Sequence, residues 1–155
     1  MKIISGGQIG ADIAALQWAK SVGLETGGWM PKDFHTLNGQ HPEYAKMYGM
    51  TETHDGGYPV RTRLNVKAAD VTLRFGINFN TYGERATAKY IREFMKPSLD
   101  IWMNPATLEC HPKPYYVAAW LNTYQPKIIN VAGNAKAIIE PEVKLFLNEV
   151  YEIIS

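Results

Sequence analysis

Directly after a short apolar run at its amino terminus the chain reads Ser5-Gly6-Gly7-Gln8-Ile9-Gly10-Ala11-Asp12. Glycines at this spacing let backbone approach a ligand closely, and a helix opening here offers free N–H groups and the positive end of its dipole to an anion. The chemistry predicted is a phosphate cradle built from Gly6, Gly7, Gln8 and Gly10. The spacing is GGxxG, distinct from the dinucleotide GxGxxG and from a P-loop with its Lys-Ser/Thr, and a tight strand-to-helix turn without a ligand needs the same glycines. Asp12 falls in the first helical turn, where the dipole favours a carboxylate in any protein. Beside a phosphate it could also accept hydrogen bonds from a ribose or base.

Two more stretches have the composition of ligand loops. Asn78-Phe79-Asn80-Thr81-Tyr82-Gly83-Glu84-Arg85-Ala86-Thr87 follows an apolar run, with Gly83, Glu84, Arg85 and Thr87 as candidate contacts, and Asn130-Val131-Ala132-Gly133-Asn134 offers Asn130, Gly133 and Asn134. Trp29 supplies a ring that could stack on a base and Lys32 a cation for a phosphate, although packing and solvation are the commoner uses of these residues. Arg61 and Asn65 stand four apart, on one face if their segment is helical, where surface pairing is the bland alternative.

Machinery for covalent or metal chemistry is not evident. His35, His41, His54 and His111 match no zinc spacing, the serines lack a GxSxG context, and the single Cys110 allows neither a disulfide nor a CxxC pair. Sixteen basic and fifteen acidic residues leave a net charge of +1, which supplies no field for nucleic acid or acidic membranes, so any anion site must be local. No signal-peptide pattern and no apolar run near ~20 residues is present. The expectation is a cytoplasmic homo-oligomer whose partner is a small molecule.

The elements that must position these residues alternate. Strand-like runs occur at Lys2–Ile4, Glu25–Trp29, Val71–Phe75, Ser98–Trp102 and Lys127–Val131, and helical periodicity over Ile9–Val22, Arg85–Met95 and Glu140–Ile154. Alternation of this kind predicts an α/β fold: one Rossmann-like domain of 155 residues, with a mostly parallel sheet of about five strands and helices on both faces. Loops leaving the strands' C-terminal ends then share one edge, so the three glycine-bearing loops converge there. The stretch from Pro31 to Tyr58 has no clear periodicity and is predicted to be a long lid loop over that edge.

With these residues in view the chain resembles the putative molybdenum carrier family, a branch of the Rossmann-like SLOG superfamily. The resemblance runs almost end to end: Gly6-Gly7-Gln8 with Gly10, Asp12, Ala15 and Leu16; Gly27-Gly28-Trp29 with Pro31-Lys32; Arg61-Thr62 with Asn65-Val66; Asp70 and Thr72; Lys96-Pro97; and Asn130-Val131-Ala132-Gly133. It implies that the glycine-rich loops bind a nucleotide-like ligand, with molybdenum cofactor or a signalling nucleotide as the named classes. The expected function is binding without chemistry, as carrier, sensor or sink. The alternative, implied by phosphoribohydrolase relatives, is cleavage of an N-glycosidic bond assisted by Glu84. The chain departs from the family at Ile9 for a usual Thr, Ile13 for Arg, Met30 for Cys, and Tyr82-Gly83-Glu84 for Gly-Gly-Thr.

Overall fold

Strand and helix alternate through most of the computed structural model, which describes residues 1–55 and 57–155. The opening unit is β1 (Lys2–Ile4), α1 (Ala11–Ser21) and β2 (Glu25–Met30); β3 (His35–Thr36), β4 (Gly39–Gln40), α2 (Tyr44–Tyr48) and β5 (Met50–Glu52) follow. Next come α3 (Tyr58–Ala68), β6 (Val71–Gly76), α4 (Tyr82–Phe94), β7 (Ser98–Met103), β8 (Cys110–His111), α5 (Pro114–Tyr124), β9 (Ile128–Gly133) and α6 (Glu140–Ile154). The main sheet has the order β5-β2-β1-β9-β6-β7-β8 and is parallel except for β8, which runs antiparallel to β7. This is the expected Rossmann-like α/β domain.

Side-chain alternation on the central strands explains both layers. Val71, Leu73 and Phe75 of β6, with Ile129 and Val131 of β9, meet the small residues Ala11, Ala14 and Ala15 of α1, together with α5 and α6, in the main core. The intervening residues Thr72, Arg74 and Asn130 point to the opposite face, under α3 and α4, and all three are buried. One face of the sheet centre is thus an ordinary apolar core. The other is polar, and the site lies there.

The sheet has seven strands where about five were expected. The additional ones, β5 and β8, are three and two residues long, too short for a period-two pattern to register; each pairs with the exposed edge of a stronger neighbour. The expected loop at 31–58 is corrected in the same way. It contains the β3–β4 hairpin, α2 and β5, and Tyr48 and Met50 are buried with Ile13, Leu16 and Met30 in a second apolar cluster. Gly56, which belongs to that predicted loop, lies outside the described residues. α4 starts at Tyr82 rather than Arg85 because Thr81 caps it, its side chain accepting from the Glu84 N–H at 3.3 Å.

Candidate functional site

A cavity of about 450 Å³ opens at the C-terminal edge of β1, β9 and β6, between the sheet and the helices α3 and α4. Gly6, Gln8 and Asp12 line it from the β1–α1 turn, Arg61 and Asn65 from α3, Gly83, Glu84 and Thr87 from α4, and Asn130, Gly133 and Asn134 from β9 and its loop. Convergence follows from strand order: β1, β9 and β6 are adjacent, although their sequence positions are far apart. Asn134 staples two of the loops together. Its Oδ1 accepts from the Ile77 and Asn78 N–H groups at 2.8 and 3.1 Å, and its Nδ2 donates to the Asn78 carbonyl at 2.8 Å.

The β1–α1 turn corrects a sequence-based expectation. Its amides are not free: Gly7 N–H donates to Ser5 Oγ (3.2 Å), Gln8 N–H to Asp12 Oδ2 (3.4 Å) and Ile9 N–H to Gln8 Oε1 (3.0 Å). Gly10 N–H donates to Glu140 Oε2 (2.9 Å) and Ala11 N–H to the Asn134 carbonyl (3.3 Å). The chain's own oxygens occupy the donors from which a phosphate cradle at Gly6–Asp12 was expected. Gly7 and Gly10 lie outside the cavity lining. Gly7 has φ +70°, and a Cβ there would come within 2.9 Å of Met30, which is fully buried; a Val at this position would strain the fold itself. At α4 the situation is reversed. Among the described residues the Tyr82 and Gly83 N–H groups make no hydrogen bond, and both residues line the cavity.

Two carboxylate–guanidinium pairs underlie the cavity. Arg61 Nη1 donates to Asp12 Oδ2 at 3.0 Å, with both side chains largely buried, and the guanidinium lies over the Tyr58 ring at 5.3 Å. Gly6 is what makes room for it: a Cβ there would fall 1.4 Å from Arg61 Nη1. Burial pushes the Asp12 carboxyl above its ordinary range in spite of Arg61. In the second pair Arg74 grips Asp100 with two hydrogen bonds of 2.7 Å and gives its remaining Nη1 to the Glu84 carbonyl at 2.9 Å.

Glu84 is left over. Its side-chain Oε2 stands 3.7 Å from Arg74 Nη1, beyond hydrogen-bond reach, and is buried with no partner among the described residues. Desolvation pushes its carboxyl up to about 7; Arg74 offsets part of this, while Asp12 and Asp100 add to it. An acid of this kind can give or take a proton near neutral pH.

The remaining expected residues stand elsewhere. Trp29 is half-buried outside the cavity lining, and its backbone is held by Asn65, the N–H donating to Asn65 Oδ1 (2.9 Å) and the carbonyl accepting from Asn65 Nδ2 (3.1 Å). Lys32 is exposed in a short 3-10 turn. Arg85 is exposed and donates to the Asn80 carbonyl. Sequence reasoning missed Tyr58, Leu37 and Lys136, which line the cavity, and Arg74, which organises Glu84. A signal existed for Arg74: a lone charge within the otherwise apolar run Val71-Thr72-Leu73-Arg74-Phe75 must be paired wherever that strand is buried.

The departures at Ile13 and Met30 belong to the second apolar cluster and not to the cavity. Cys110 is buried in β8, and burial raises its thiol to about 11, which suppresses the nucleophilic thiolate. Among the described residues no three His, Cys, Asp or Glu side chains are grouped so as to hold a metal ion. No helix among them is long and apolar enough to cross a membrane.

Comparison with known proteins agrees with this architecture. A crystal structure named putative molybdenum carrier protein, from Syntrophus aciditrophicus SB, superposes on the chain with a TM-score of 0.78 at 30% identity, over 99% of this chain and 93% of that one. No curated protein sequence matches. The model of the circularly permutated YpsA SLOG family matches residues 3–151. A strand-and-loop order that brings β1, β9 and β6 together around one cavity, with a family match over nearly its whole length, makes this chain a member of the circularly permutated YpsA SLOG family.

Proposed function

We propose that the cavity binds a phosphate-bearing, nucleotide-like small molecule. One observation carries the reading. Buried polar atoms of three cavity residues, Tyr58 Oη, Arg61 Nε and Glu84 Oε2, have no hydrogen-bond partner among the described residues. Buried groups left this way cost about 1–3 kcal/mol each, and their collection around one cavity of ligand size argues for an occupant that completes them. The open amides of Tyr82 and Gly83 at the start of α4, together with Lys136 at the rim, favour an anionic group there. We place the phosphate at α4 rather than at α1.

Molybdenum cofactor, the class that the family resemblance implies, carries such a phosphate, and the same donors would hold it. Among the described residues the cavity supplies no side-chain set for a bare metal ion, so the organic part of such a cofactor is what these residues fit. Part of the segment 31–58 acts as a lid in this reading, because Leu37 lines the cavity and its N–H donates to Gln8 Oε1 at 3.0 Å. Amide exchange at Leu37 and its neighbours is expected to slow when the ligand binds; unchanged exchange with a ligand bound would remove the lid.

Gly83 provides the clean test. A Cβ there meets no atom within 4 Å, so Gly83→Leu should leave stability within about 1 kcal/mol of wild type while filling the cavity mouth. Thermal shifts with nucleotides, dinucleotides, cyclic nucleotides and pterin cofactors are the measurement. At 100 times its dissociation constant a ligand adds about 2.7 kcal/mol, and in Gly83→Leu that gain should vanish. A wild type that shifts with none of them would sink the reading.

Glu84 supports a second reading, hydrolysis of an N-glycosidic bond, because a buried acid poised near neutral pH can protonate a leaving group or activate water. Incubation with a bound nucleotide and chromatography of the products separates the two. Free base released by wild type and not by Glu84→Gln would establish the enzyme, whereas intact ligand recovered after denaturation favours the carrier or sink.

A further inference from the structure

We propose that Glu84 enters the complex as a neutral carboxylic acid and donates its proton to an anionic oxygen of the bound molecule, so that binding weakens as pH rises. This rests on the reading of the cavity as a site for a phosphate-bearing molecule and adds the protonation state of the acid that meets it.

The local sequence offers Glu84 an easier place. Thr81-Tyr82-Gly83-Glu84 has the spacing of a capping box, in which the glutamate reaches back to the cap residue's N–H. Half of the box forms, with Thr81 Oγ1 accepting from Glu84 N–H. The glutamate's own half does not: the side chain turns inward, only 4% of the residue is exposed, and it lines the cavity with Oε2 unpartnered. An exposed cap hydrogen bond has been given up for a buried position in which Oε2 makes no hydrogen bond among the described residues.

A count of the facing charges shows why the proton stays. Arg74 approaches Glu84 from β6, Asp100 from β7, Asp12 from α1 and Arg61 from α3, with the Tyr58 hydroxyl on α3 and exposed Lys136 at the rim. Each guanidinium is already taken by another carboxylate, Arg61 by Asp12 at 3.0 Å and Arg74 by Asp100 in a two-point grip. Two largely buried cations face three acids, of which Asp12 and Glu84 are buried while the Asp100 side chain is 44% exposed. Glu84, buried and with its side chain hydrogen-bonded to neither cation, is neutralised most cheaply by a proton, and burial accordingly raises its carboxyl to about 7. An arriving phosphoryl oxygen is repelled by a carboxylate and accepts a hydrogen bond from an acid, so the anion selects the protonated form. A ligand that instead presented hydroxyl donors would select the carboxylate, and its affinity would rise with pH.

The experiment is calorimetric titration of wild type and Glu84→Gln with two probes, 5′-AMP and sulfate, from pH 6 to pH 9. Sulfate keeps its charge across this range, while 5′-AMP gains charge near pH 6. The glutamine amide keeps an N–H donor and does not titrate. Wild-type affinity for sulfate is expected to fall about tenfold between pH 6 and pH 8 as the acid form is depleted, and Glu84→Gln should be flat and bind more tightly than wild type at pH 8. With 5′-AMP the difference between the two proteins should show the same fall. Affinity that is flat or rises with pH in wild type, or a fall of equal size in Glu84→Gln, overturns the proposal and leaves the binding site standing. If neither probe binds either protein at any pH, the binding-site reading fails and the proposal fails with it.

Discussion

Gly10→Ala is expected to cost more than about 3 kcal/mol, enough to unfold much of the population of a domain of ordinary stability. Gly10 holds φ +91° and ψ −134°, a region that residues with a Cβ avoid. The added Cβ would sit 2.1 Å from the Asn134 carbonyl oxygen and 2.6 Å from the Lys136 nitrogen. Both are backbone atoms, so no rotamer change relieves the overlap. The loop after β9 would have to move away from α1, breaking the Ala11 N–H to Asn134 carbonyl bond and disturbing the Gly10 N–H to Glu140 contact. Gly23→Ala is the control. Gly23 has φ +80° with nothing within 4 Å of its Cβ position, so it should lose only the conformational term of about 1 kcal/mol. Urea denaturation of the two variants checks this. Equal losses at both positions would show that the contact between the β1–α1 turn and the β9 loop contributes nothing.

Glu84→Gln is expected to stabilise the protein by about 3 kcal/mol above pH 8, with almost no effect near pH 4.5. The glutamate's folded value of about 7 lies above its ordinary 4.5, so the fold favours the acid form. That contribution is complete below the ordinary value and is lost as pH rises through 7, at about 1.4 kcal/mol per pH unit. Glutamine resembles the acid in shape and carries no charge, so the variant escapes the loss. For a chain of this length the difference corresponds to a rise in Tm of about 6–12 °C. Denaturant melts at pH 5 and pH 8 provide the measurement, and a variant no more stable than wild type at pH 8 would show that the carboxylate is satisfied in solution. A gain would mark Glu84 as a residue retained at a cost to stability, as functional positions commonly are.

Much of the architecture was legible in the residues themselves, because the long elements announce themselves through period and punctuation. The five strands read from apolar runs are all present, and α6 spans Glu140–Ile154 as its periodicity indicated. Short elements escaped: β5 and β8 exist because an edge strand accepts any extended neighbour, a property of the edge and not of the two or three residues that fill it. α5 also escaped, its aromatic run Pro114-Tyr115-Tyr116 giving little periodicity.

The candidate site divides along the same line. Alternation of strand and helix was enough to say that the loops bearing Gly6, Gly83 and Gly133 share one edge. Which of their groups remain free was decided only in three dimensions, since hydrogen-bond capacity is used up by partners distant in sequence. Glu140 closes the amide of Gly10 across 130 positions, and the expected cradle at α1 is filled from within. Arg61 is drawn onto Asp12 and Arg74 onto Asp100, and the acid left without a hydrogen-bonded cation is Glu84. By itself the sequence determined that a crevice would form at the strand ends; the tertiary structure decided which acid in it is left without a hydrogen-bonded cation, because pairing in a low-dielectric interior depends on distances of a few ångströms that no spacing along the chain encodes.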